Sequence, residues 1–350
     1  MKEYLSLQYL RGLAALMVVI FHVGQPLMRM GYSGGWPAGL AGGVDIFFVI
    51  SGFVMWVTTR DKDVGTLTFW WKRITRIVPL YWLVTSFMLA VLLAAPSAMQ
   101  TSVFSLPHVL ASYAFIPWQN PGKPEMEPLL FAGWTLNYEM FFYLIFGVLL
   151  LVRPALRLAG TVLICALLVV AGVAFGAPRL SIAGFYSSNI ILEFGYGMLL
   201  GEILLRRGGK RLMPTSLAWM VFAAGLALLV WLPWGDNPLA ILHGLPALAI
   251  VAAALAIETN AALPRLRLAH VLGDASYSIY LTQLITMGGF AAAWKQAHIA
   301  LSTGSIIAFS VLDVGVAALA GWLCYRLIER RLNSIFRGKP KAVGNSGDHH

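Results

Sequence analysis

The sequence predicts an all-α polytopic membrane protein with about ten transmembrane helices. Hydrophobic residues make up 59% of the 350-residue chain and charged residues only 11%, whereas a soluble domain has about 25% charged residues. The mean hydropathy is +0.76, and the apolar residues occur in runs of about 20, the length of a helix that crosses a bilayer. This composition excludes an ordinary soluble protein.

Windows of about 20 apolar residues define the individual spans. They lie near residues 7–28, 41–59, 75–95, 134–152, 157–176, 186–205, 214–233, 238–258, 275–294 and 303–327. We expect one transmembrane domain over residues 1–335 and a disordered cytoplasmic tail over residues 336–350. The first segment is too long for a signal-peptide core and no small-x-small cleavage site follows it, so we expect it to remain as the first span.

The basic residues orient these spans. They occur in alternate connections, after the second, fourth, sixth, eighth and last spans. The positive-inside rule therefore predicts cytoplasmic termini and an external connection from Pro96 to Gly133. The same distribution explains the net charge of +10 without nucleic acid. The apolar run from Ser105 to Trp118 in that connection leaves two alternatives open, a lid over an outward-facing site or a passive loop with an interfacial anchor.

Cysteine content is low. Cys165 and Cys324 are the two cysteines, and both lie inside apolar runs. The sequence therefore offers neither a disulfide framework nor a Cys-based metal site, and we expect no metal.

Arg11 and His22 place a cation and an imidazole inside the first apolar run. Their spacing puts them on nearly one face of a helix, about 16 Å apart along it. An ionisable group at the centre of a membrane helix costs at least about 2.5 kcal/mol, so such groups face a protein interior or a water-filled cavity. The pair indicates a functional site. The alternative is that Arg11 snorkels to the inner headgroups while His22 bonds a neighbouring carbonyl.

Two carboxylates are assigned to the depth of His22. Asp45 lies near the outer end of the second span and Glu139 less than two turns below the outer surface in the fourth. His22 is the candidate general base, because a carboxylate bonded to one ring nitrogen fixes the tautomer and supports the imidazolium. The sequence leaves open whether Asp45 or Glu139 is that partner. Since Ser51 lies closer to the middle of its span, we favour direct transfer over a covalent serine intermediate.

A second group of cations begins the third span. Lys72, Arg73 and Arg76 lie at the predicted inner membrane face, and Arg11 lies somewhat further into the membrane. Arg side chains bind phosphate oxygens bidentately, so the cluster suits an anionic ligand. Basic residues at an inner helix end are also the commonest topological signal, and this alternative stays open.

The later spans add a polar face and a packing motif. Ser276, Tyr280 and Gln283 fall on one face of the ninth span, which suits a pore lining. Gly197 and Gly201 have the small-xxx-small spacing that favours close helix packing. Three further carboxylates are expected to pair internally: Glu193, Glu202 and Glu329.

Five sequence elements together resemble the membrane acyltransferase-3 family, and within it the exopolysaccharide O-acetyltransferases of the ExoZ type. They are the Arg-x10-His pair Arg11 and His22, Gly43 to Phe53, Arg73 to Tyr81, Trp134 to Tyr143, and Gly273 to Leu281. The resemblance runs from Tyr9 to about Glu329. Many relatives carry His two residues after the last Leu, where this chain has Gln283, so we give Gln283 no catalytic role.

The resemblance implies a ten-helix acyltransferase-3 fold in the bacterial inner membrane, surrounded by membrane lipid. It also implies transfer of an acetyl group from cytoplasmic acetyl-CoA, as co-substrate, to a hydroxyl of an extracytoplasmic or lipid-linked polysaccharide. On this basis the catalytic residues are His22, Asp45 and Glu139. Donor binding is assigned to Arg11, Lys72, Arg73, Arg76, Tyr277 and Tyr280.

Two other classes of protein place similar residues in a membrane. A proton-coupled transporter or flippase of a glycan or glycolipid also uses intramembrane His, Asp and Glu. Such transporters are often built from inverted repeats, and the two halves of this chain show none. A membrane-bound O-acyltransferase acting on lipids or proteins also uses an intramembrane His, but the five elements above do not support it. We therefore expect the polysaccharide O-acetyltransferase.

Overall fold

The computed structural model describes residues 4–96, 103–231, 244–261 and 263–337. Within these residues the chain is helical and has no strand, apart from one isolated bridge between Gln119 and Met126. The helices are α1 (Leu5–Arg29), α2 (Gly43–Thr59), α3 (Thr66–Ala94), α4 (Leu106–Tyr113), α5 (Gly133–Leu149), α6 (Pro154–Ala174), α7 (Ile182–Tyr186), α8 (Leu192–Arg206), α9 (Thr215–Trp231), α10 (Gly244–Asn260), α11 (Arg267–Gln296), α12 (Thr303–Cys324) and α13 (Arg330–Arg337).

Three shorter elements connect these helices. The 3-10 helices Ala38–Gly42 and Asn189–Ile191 lead into α2 and α8, and a π-helical turn, Tyr325–Glu329, joins α12 to α13. Following the predicted topology, we call the end of the bundle at which α1 begins the inner end. The opposite end is the outer end.

Five segments of the described chain are long and apolar enough to cross a membrane. These are Leu5–Arg29, Ala38–Thr59, Thr66–Ala94, Pro154–Ala174 and Thr303–Phe336. α9 and α10 are apolar but have 17 residues each, and α5 and α8 have 17 and 15. A helix of about 20 residues is needed to cross a bilayer. The count of ten spans and the orientation of the termini therefore remain predictions.

Three predicted helix starts are wrong. α3 begins at Thr66 rather than at 75, and α11 begins at Arg267 rather than at 275. In both helices the additional turns mix polar and charged residues with apolar ones, so a window of apolar residues does not detect them. α8 begins at Leu192 rather than near 186, because a 3-10 helix precedes it.

Parts of two predictions fall outside the described residues. Residues 232–243 separate α9 from α10, so the predicted end of the seventh span and start of the eighth are not described. Residues 338–350 are not described either, and the disorder expected there remains a prediction. α13 is helical to Arg337, two residues past the expected domain boundary at 335.

Glycines allow the helices around the interior to approach closely. A Cβ atom at Gly273 of α11 would lie 2.1 Å from the backbone oxygen of Gln8 in α1. One at Gly197 of α8 would lie 2.0 Å from the backbone oxygen of Val49 in α2. The packing role expected of Gly197 is thereby confirmed. Small residues at such positions are a general feature of membrane helix interfaces.

The outward and inward faces of the helices differ in polarity. α6 and α12 present exposed apolar side chains outward, among them Leu163 and Val311. Buried polar side chains such as His22 and Asp45 lie on inward faces. This arrangement suits a bundle that is surrounded by lipid and holds a polar interior.

Candidate active site

A cavity of about 170 Å³ lies between α1, α2, α3, α5 and α11, and we call it the central cavity. Its polar lining consists of Arg11, Ser51, Arg76, Thr135, Glu139, Tyr143, Ser276, Tyr277 and Tyr280. Typical ligand pockets have roughly 300–1,000 Å³. The central cavity therefore suits the reactive end of a substrate better than a whole coenzyme.

Two arginines enter the central cavity from neighbouring helices. Arg11 comes from the second turn of α1 and Arg76 from the third turn of α3. Arg11 Nη1 donates a 3.5 Å hydrogen bond to Gln8 Oε1, and Gln8 Nε2 donates to Asp274 Oδ1. This chain of bonds orients Arg11 from α11. Two cations on one cavity form a site for an anionic group.

Glu139 faces these cations from α5. Its Oε1 atom accepts a 3.2 Å hydrogen bond from Ser51 Oγ and a second bond from the Tyr143 hydroxyl. Glu139 also interacts electrostatically with Arg11. Glu139 therefore lies in the wall of the central cavity, and its partners are a serine, a tyrosine and an arginine.

The tyrosines of α11 close the other side of the central cavity. The Tyr277 hydroxyl donates a 2.7 Å hydrogen bond to the backbone oxygen of Ile77 in α3. The Tyr280 hydroxyl lies 3.0 Å from Thr135 Oγ1 in α5. These bonds tie three helices together around the cavity, so α11 has the lining role that its polar face predicted.

The other two predicted donor-binding cations lie outside the central cavity. The guanidinium of Arg73 packs 5.5 Å from the Phe69 ring centroid and 5.9 Å from that of Tyr143. Lys72 is exposed at the inner end of α3. Arg73 therefore packs behind Tyr143, which lines the central cavity. Lys72 is an exposed charge at the inner end of α3.

Glu329 adds a negative charge below the two arginines. Its Oε2 atom accepts a 2.6 Å hydrogen bond from Ser278 Oγ, and it interacts electrostatically with Arg11 and Arg76. The residue closes the π-helical turn that follows α12, and such turns are frequent at functional sites. The internal pairing expected of this carboxylate is confirmed.

Glu202 also pairs internally, at the inner end of α8. Its carboxylate accepts hydrogen bonds from Arg60 at 3.0 Å, Arg206 at 2.5 Å and Trp56 at 2.9 Å. The group joins α2 to α8. It lies apart from the central cavity and lines a separate, more open cavity between α2, α6 and α8.

His22 lines a separate, smaller cavity of about 30 Å³, which we call the His22 pocket. Its volume is about that of one water molecule. The imidazole packs edge-on against Phe21 and Phe131, with ring centroids 5.0 and 5.8 Å away. The side chain is 5% exposed, and its Nδ1 atom has no hydrogen-bond partner among the described residues. A polar atom buried without a partner is expensive and marks a place for an incoming group.

The expected meeting of His22, Asp45 and Glu139 is not found. Nδ1 of His22 has no hydrogen-bond partner among the described residues, and His22 and Glu139 line different cavities. Asp45 forms a side-chain hydrogen bond with Glu193 of α8 instead. Asp45 and Ser51 are six positions apart, which separates them by about 120° around α2. Helix phase therefore turns Asp45 toward α8 and Ser51 toward Glu139, while the catalytic roles of both carboxylates remain predictions.

Gln283 is the residue that the sequence undervalued. It lines the His22 pocket, is 1% exposed, and donates a 3.2 Å bond from Nε2 to the backbone oxygen of Tyr280. Its Oε1 atom has no partner among the described residues. The spacing of Ser276, Tyr280 and Gln283 on one face was the signal that could have placed it there.

Tyr280 lies between the two cavities. Both the central cavity and the His22 pocket are lined by Tyr280 and Val44, so the two spaces adjoin at these side chains. The arginines near the inner end and the imidazole near the outer end therefore lie on two neighbouring cavities that Tyr280 and Val44 separate. Such an arrangement suits a reaction between two substrates that arrive from opposite sides.

Residues 4–328 match the acyltransferase-3 profile, which is described as an acyltransferase domain. The chain belongs to the acyltransferase-3 family. It is therefore a membrane acyltransferase by family.

Two curated relatives are similar over most of their length. The exopolysaccharide production protein ExoZ of Rhizobium meliloti (strain 1021) is 38% identical over 314 residues, 87% of this chain and 92% of that protein. The acyltransferase MdmB of Streptomyces mycarofaciens is 30% identical over 344 residues, 87% of this chain and 84% of that protein. No solved structure matches the chain.

Proposed function

We propose that this chain is an O-acetyltransferase that moves an acetyl group from cytoplasmic acetyl-CoA to a hydroxyl of an extracytoplasmic or lipid-linked polysaccharide. The observation that carries the proposal is the adjoining pair of cavities, one holding two arginines and the other an imidazole. Family membership supplies acyl transfer, and the cavities suggest how the donor and acceptor are arranged.

The central cavity supports an anionic thioester donor. Arg11 and Arg76 offer charge-assisted hydrogen bonds to phosphate or carbonyl oxygens of the donor arm, each worth about 1.5–3 kcal/mol. The cavity is smaller than a whole coenzyme, so the adenosine end of acetyl-CoA stays near the inner surface. Lys72 is exposed there and suits long-range attraction of its phosphates.

The His22 pocket supports an acceptor hydroxyl. Its volume of about 30 Å³ suits one hydroxyl, and the buried Nδ1 atom of His22 lacks a partner in the described residues. Histidine is the side chain that most often acts as a general base, and a neutral imidazole accepts a proton at its unprotonated ring nitrogen. In this proposal Gln283 holds the same hydroxyl with its free Oε1 atom.

The transfer step joins the two cavities at Tyr280. His22 accepts the proton of the acceptor hydroxyl while that oxygen bonds to the acetyl carbonyl carbon. The carbon–sulfur bond then breaks, the thiolate of coenzyme A leaves, and the proton passes from His22 to the sulfur. The products are the sugar ester and free coenzyme A. In this proposal the Tyr280 hydroxyl turns from Thr135 to donate to the carbonyl oxygen as its negative charge develops.

The acceptor class is supported by a relative and by the location. The printed name of ExoZ associates that protein with exopolysaccharide production. We propose that the protein lies in the bacterial inner membrane with both termini in the cytoplasm. The alternating basic connections favour this orientation. In that orientation the arginines face the cytoplasmic donor and His22 the external acceptor.

The proposal is tested with purified full-length protein, radiolabelled acetyl-CoA and chemically de-O-acetylated surface polysaccharide from the host bacterium. We expect label in the polysaccharide and one coenzyme A thiol released for each ester formed. In cells, deletion of the gene should lower the mass of the polysaccharide repeat by one acetyl group. Glycan flux across vesicles without coenzyme A release would instead identify a transporter.

A further inference from the structure

The segment between α4 and α5 contains a charged cluster that contacts the wall of the His22 pocket through Phe131. Lys123 Nζ lies 2.7 Å from Glu125 Oε2 and 2.5 Å from Glu127 Oε2. The same ammonium lies 5.6 Å from the centroid of the Phe131 ring. Phe131 in turn packs against His22 and lines its pocket. Two successive ring contacts thus connect Lys123 to the candidate base.

Hydrogen bonds within the segment and to α4 hold this segment in place. The backbone nitrogen of Asn120 donates a 2.8 Å bond to the backbone oxygen of Glu125, which closes a tight turn around Lys123. His108 of α4 bonds the backbone oxygen of Glu127 at 2.7 Å through Nε2. The backbone nitrogen of Leu129 donates a 2.9 Å bond to Ser112 Oγ, also in α4. Buried backbone bonds of this kind favour a wall over a lid that opens.

The chemistry of the cluster suits hydroxyl groups. Carboxylates accept hydrogen bonds, the ammonium donates them, and the Phe131 ring offers an apolar face, which together resemble a pocket with few polar groups among apolar ones. Burial and the hydrogen bond with Glu125 raise the pKa of the Glu127 carboxyl to about 7. Near neutral pH Glu127 therefore donates as well as accepts.

The charge of the cluster selects among acceptors. One ammonium faces two carboxyl groups, so the cluster is neutral or negative and does not attract an anion. An arginine-lined site such as the central cavity has the opposite preference. The ligand that fits is an uncharged polyhydroxylated group.

We propose that Lys123, Glu125, Glu127 and Phe131 form an acceptor subsite that binds a neutral sugar residue and directs its hydroxyl to His22. This inference rests on the proposed function, since it names the acceptor group that the same reaction uses. The buried and unpartnered Nδ1 atom of His22 is the independent observation that a group enters the His22 pocket.

The test measures binding and transfer separately in purified full-length protein. The probes are neutral oligosaccharides from chemically de-O-acetylated host polysaccharide, with oligogalacturonate as the anionic competitor. Variants are Lys123→Met and Glu127→Gln, which keep side-chain length, and Phe131→Leu, which keeps an apolar side chain. Lys295→Met is the matched control, because Lys295 is exposed in the last turn of α11 at the same outer end.

Each of the first two variants should raise the acceptor Kd and acceptor KM by roughly 5- to 30-fold, as expected for loss of charge-assisted hydrogen bonds. Donor KM should stay within about twofold, which a general folding defect would not allow. Lys295→Met should match the wild type, and oligogalacturonate should not compete. Unchanged acceptor Kd in both Lys123→Met and Glu127→Gln, or competition by oligogalacturonate, would overturn the subsite.

The two proposals fail in different ways. Wild-type protein that binds the oligosaccharide but transfers no acetyl group would refute the proposed function and leave the subsite standing. Efficient transfer with equal acceptor KM in wild type and variants would refute the subsite alone. Wild-type protein that neither binds nor transfers would refute both.

Discussion

Glu139 and Arg11 in the central cavity and the imidazole in the His22 pocket differ in how they are hydrogen-bonded. In the central cavity Glu139 is hydrogen-bonded to Ser51 and Tyr143, and Arg11 is tied to Gln8. In the His22 pocket the imidazole is surrounded by aromatic rings, and its Nδ1 atom has no partner among the described residues. Charged groups that are already held in place suit recognition of an anionic donor. A ring nitrogen without a hydrogen-bond partner suits a hydroxyl group that binds for the reaction. Under the proposed function, this difference favours donor binding at one end and chemistry at the other.

The largest expected effect separates chemistry from binding. His22→Ala should lower the rate of acetyl transfer by a factor on the order of 10² to 10⁴, because it removes the general base. The initial rate of label transfer from acetyl-CoA to polysaccharide measures this loss. His298→Ala is the control, since His298 is exposed just after α11. Near wild-type acetylation by His22→Ala protein would remove the base from the mechanism.

A smaller effect is expected at the binding end. Arg11→Ala and Arg76→Ala should each raise donor KM by roughly 10- to 150-fold, the equivalent of one charge-assisted hydrogen bond of about 1.5–3 kcal/mol. Donor titrations of initial rate provide the measurement. Arg267→Ala is the matched control, because Arg267 is exposed in the first turn of α11. If correctly inserted Arg11→Ala protein keeps its donor KM, the arginines have a topological role only.

The two carboxylates provide a third comparison. Glu139→Gln should lower the transfer rate by roughly tenfold, because the neutral amide weakens the bonds from Ser51 and Tyr143 and no longer balances Arg11. Asp45→Asn should have less effect, since the amide still bonds Glu193. Transfer rates of both variants under identical conditions decide the order. A larger loss of transfer rate in Asp45→Asn than in Glu139→Gln would indicate that the reaction takes place near Asp45 and α8.

The smallest effect is expected at the inner rim. Lys72→Ala should change donor KM by less than about threefold, and the change should shrink further at high salt, because an exposed rim charge is screened. Donor KM measured at low and high ionic strength tests this expectation. A salt-independent increase as large as that of Arg76→Ala would place Lys72 in direct contact with the donor.

Helix positions and site residues were predictable to different degrees. Windows of apolar residues located most of the helices, because a helix that crosses a bilayer needs a run of about 20 apolar residues. The same windows missed the inner turns of α3 and α11, from Thr66 and Arg267, since those turns carry polar residues beyond the apolar run. Helical spacing also placed Tyr280 and Gln283 on one lining face correctly.

Contacts between distant helices could not be predicted from spacing. Depth along a helix is readable from sequence, but rotation about its axis depends on packing. Asp45 and Glu139 were assigned to one depth, yet Asp45 bonds Glu193 and Glu139 bonds Ser51. The contact of Phe131 with His22 could not be predicted from the sequence either. It depends on the hydrogen bonds between α4 and the segment before α5.

In the proposed mechanism, donor binding and base catalysis occupy the two adjoining cavities. The most direct test is the equilibrium Kd of acetyl-CoA for purified His22→Ala protein, measured beside wild type and Arg11→Ala. We expect a Kd within about twofold of wild type for His22→Ala and one roughly 10- to 150-fold higher for Arg11→Ala. Loss of donor binding in His22→Ala to the extent seen in Arg11→Ala would contradict the separation.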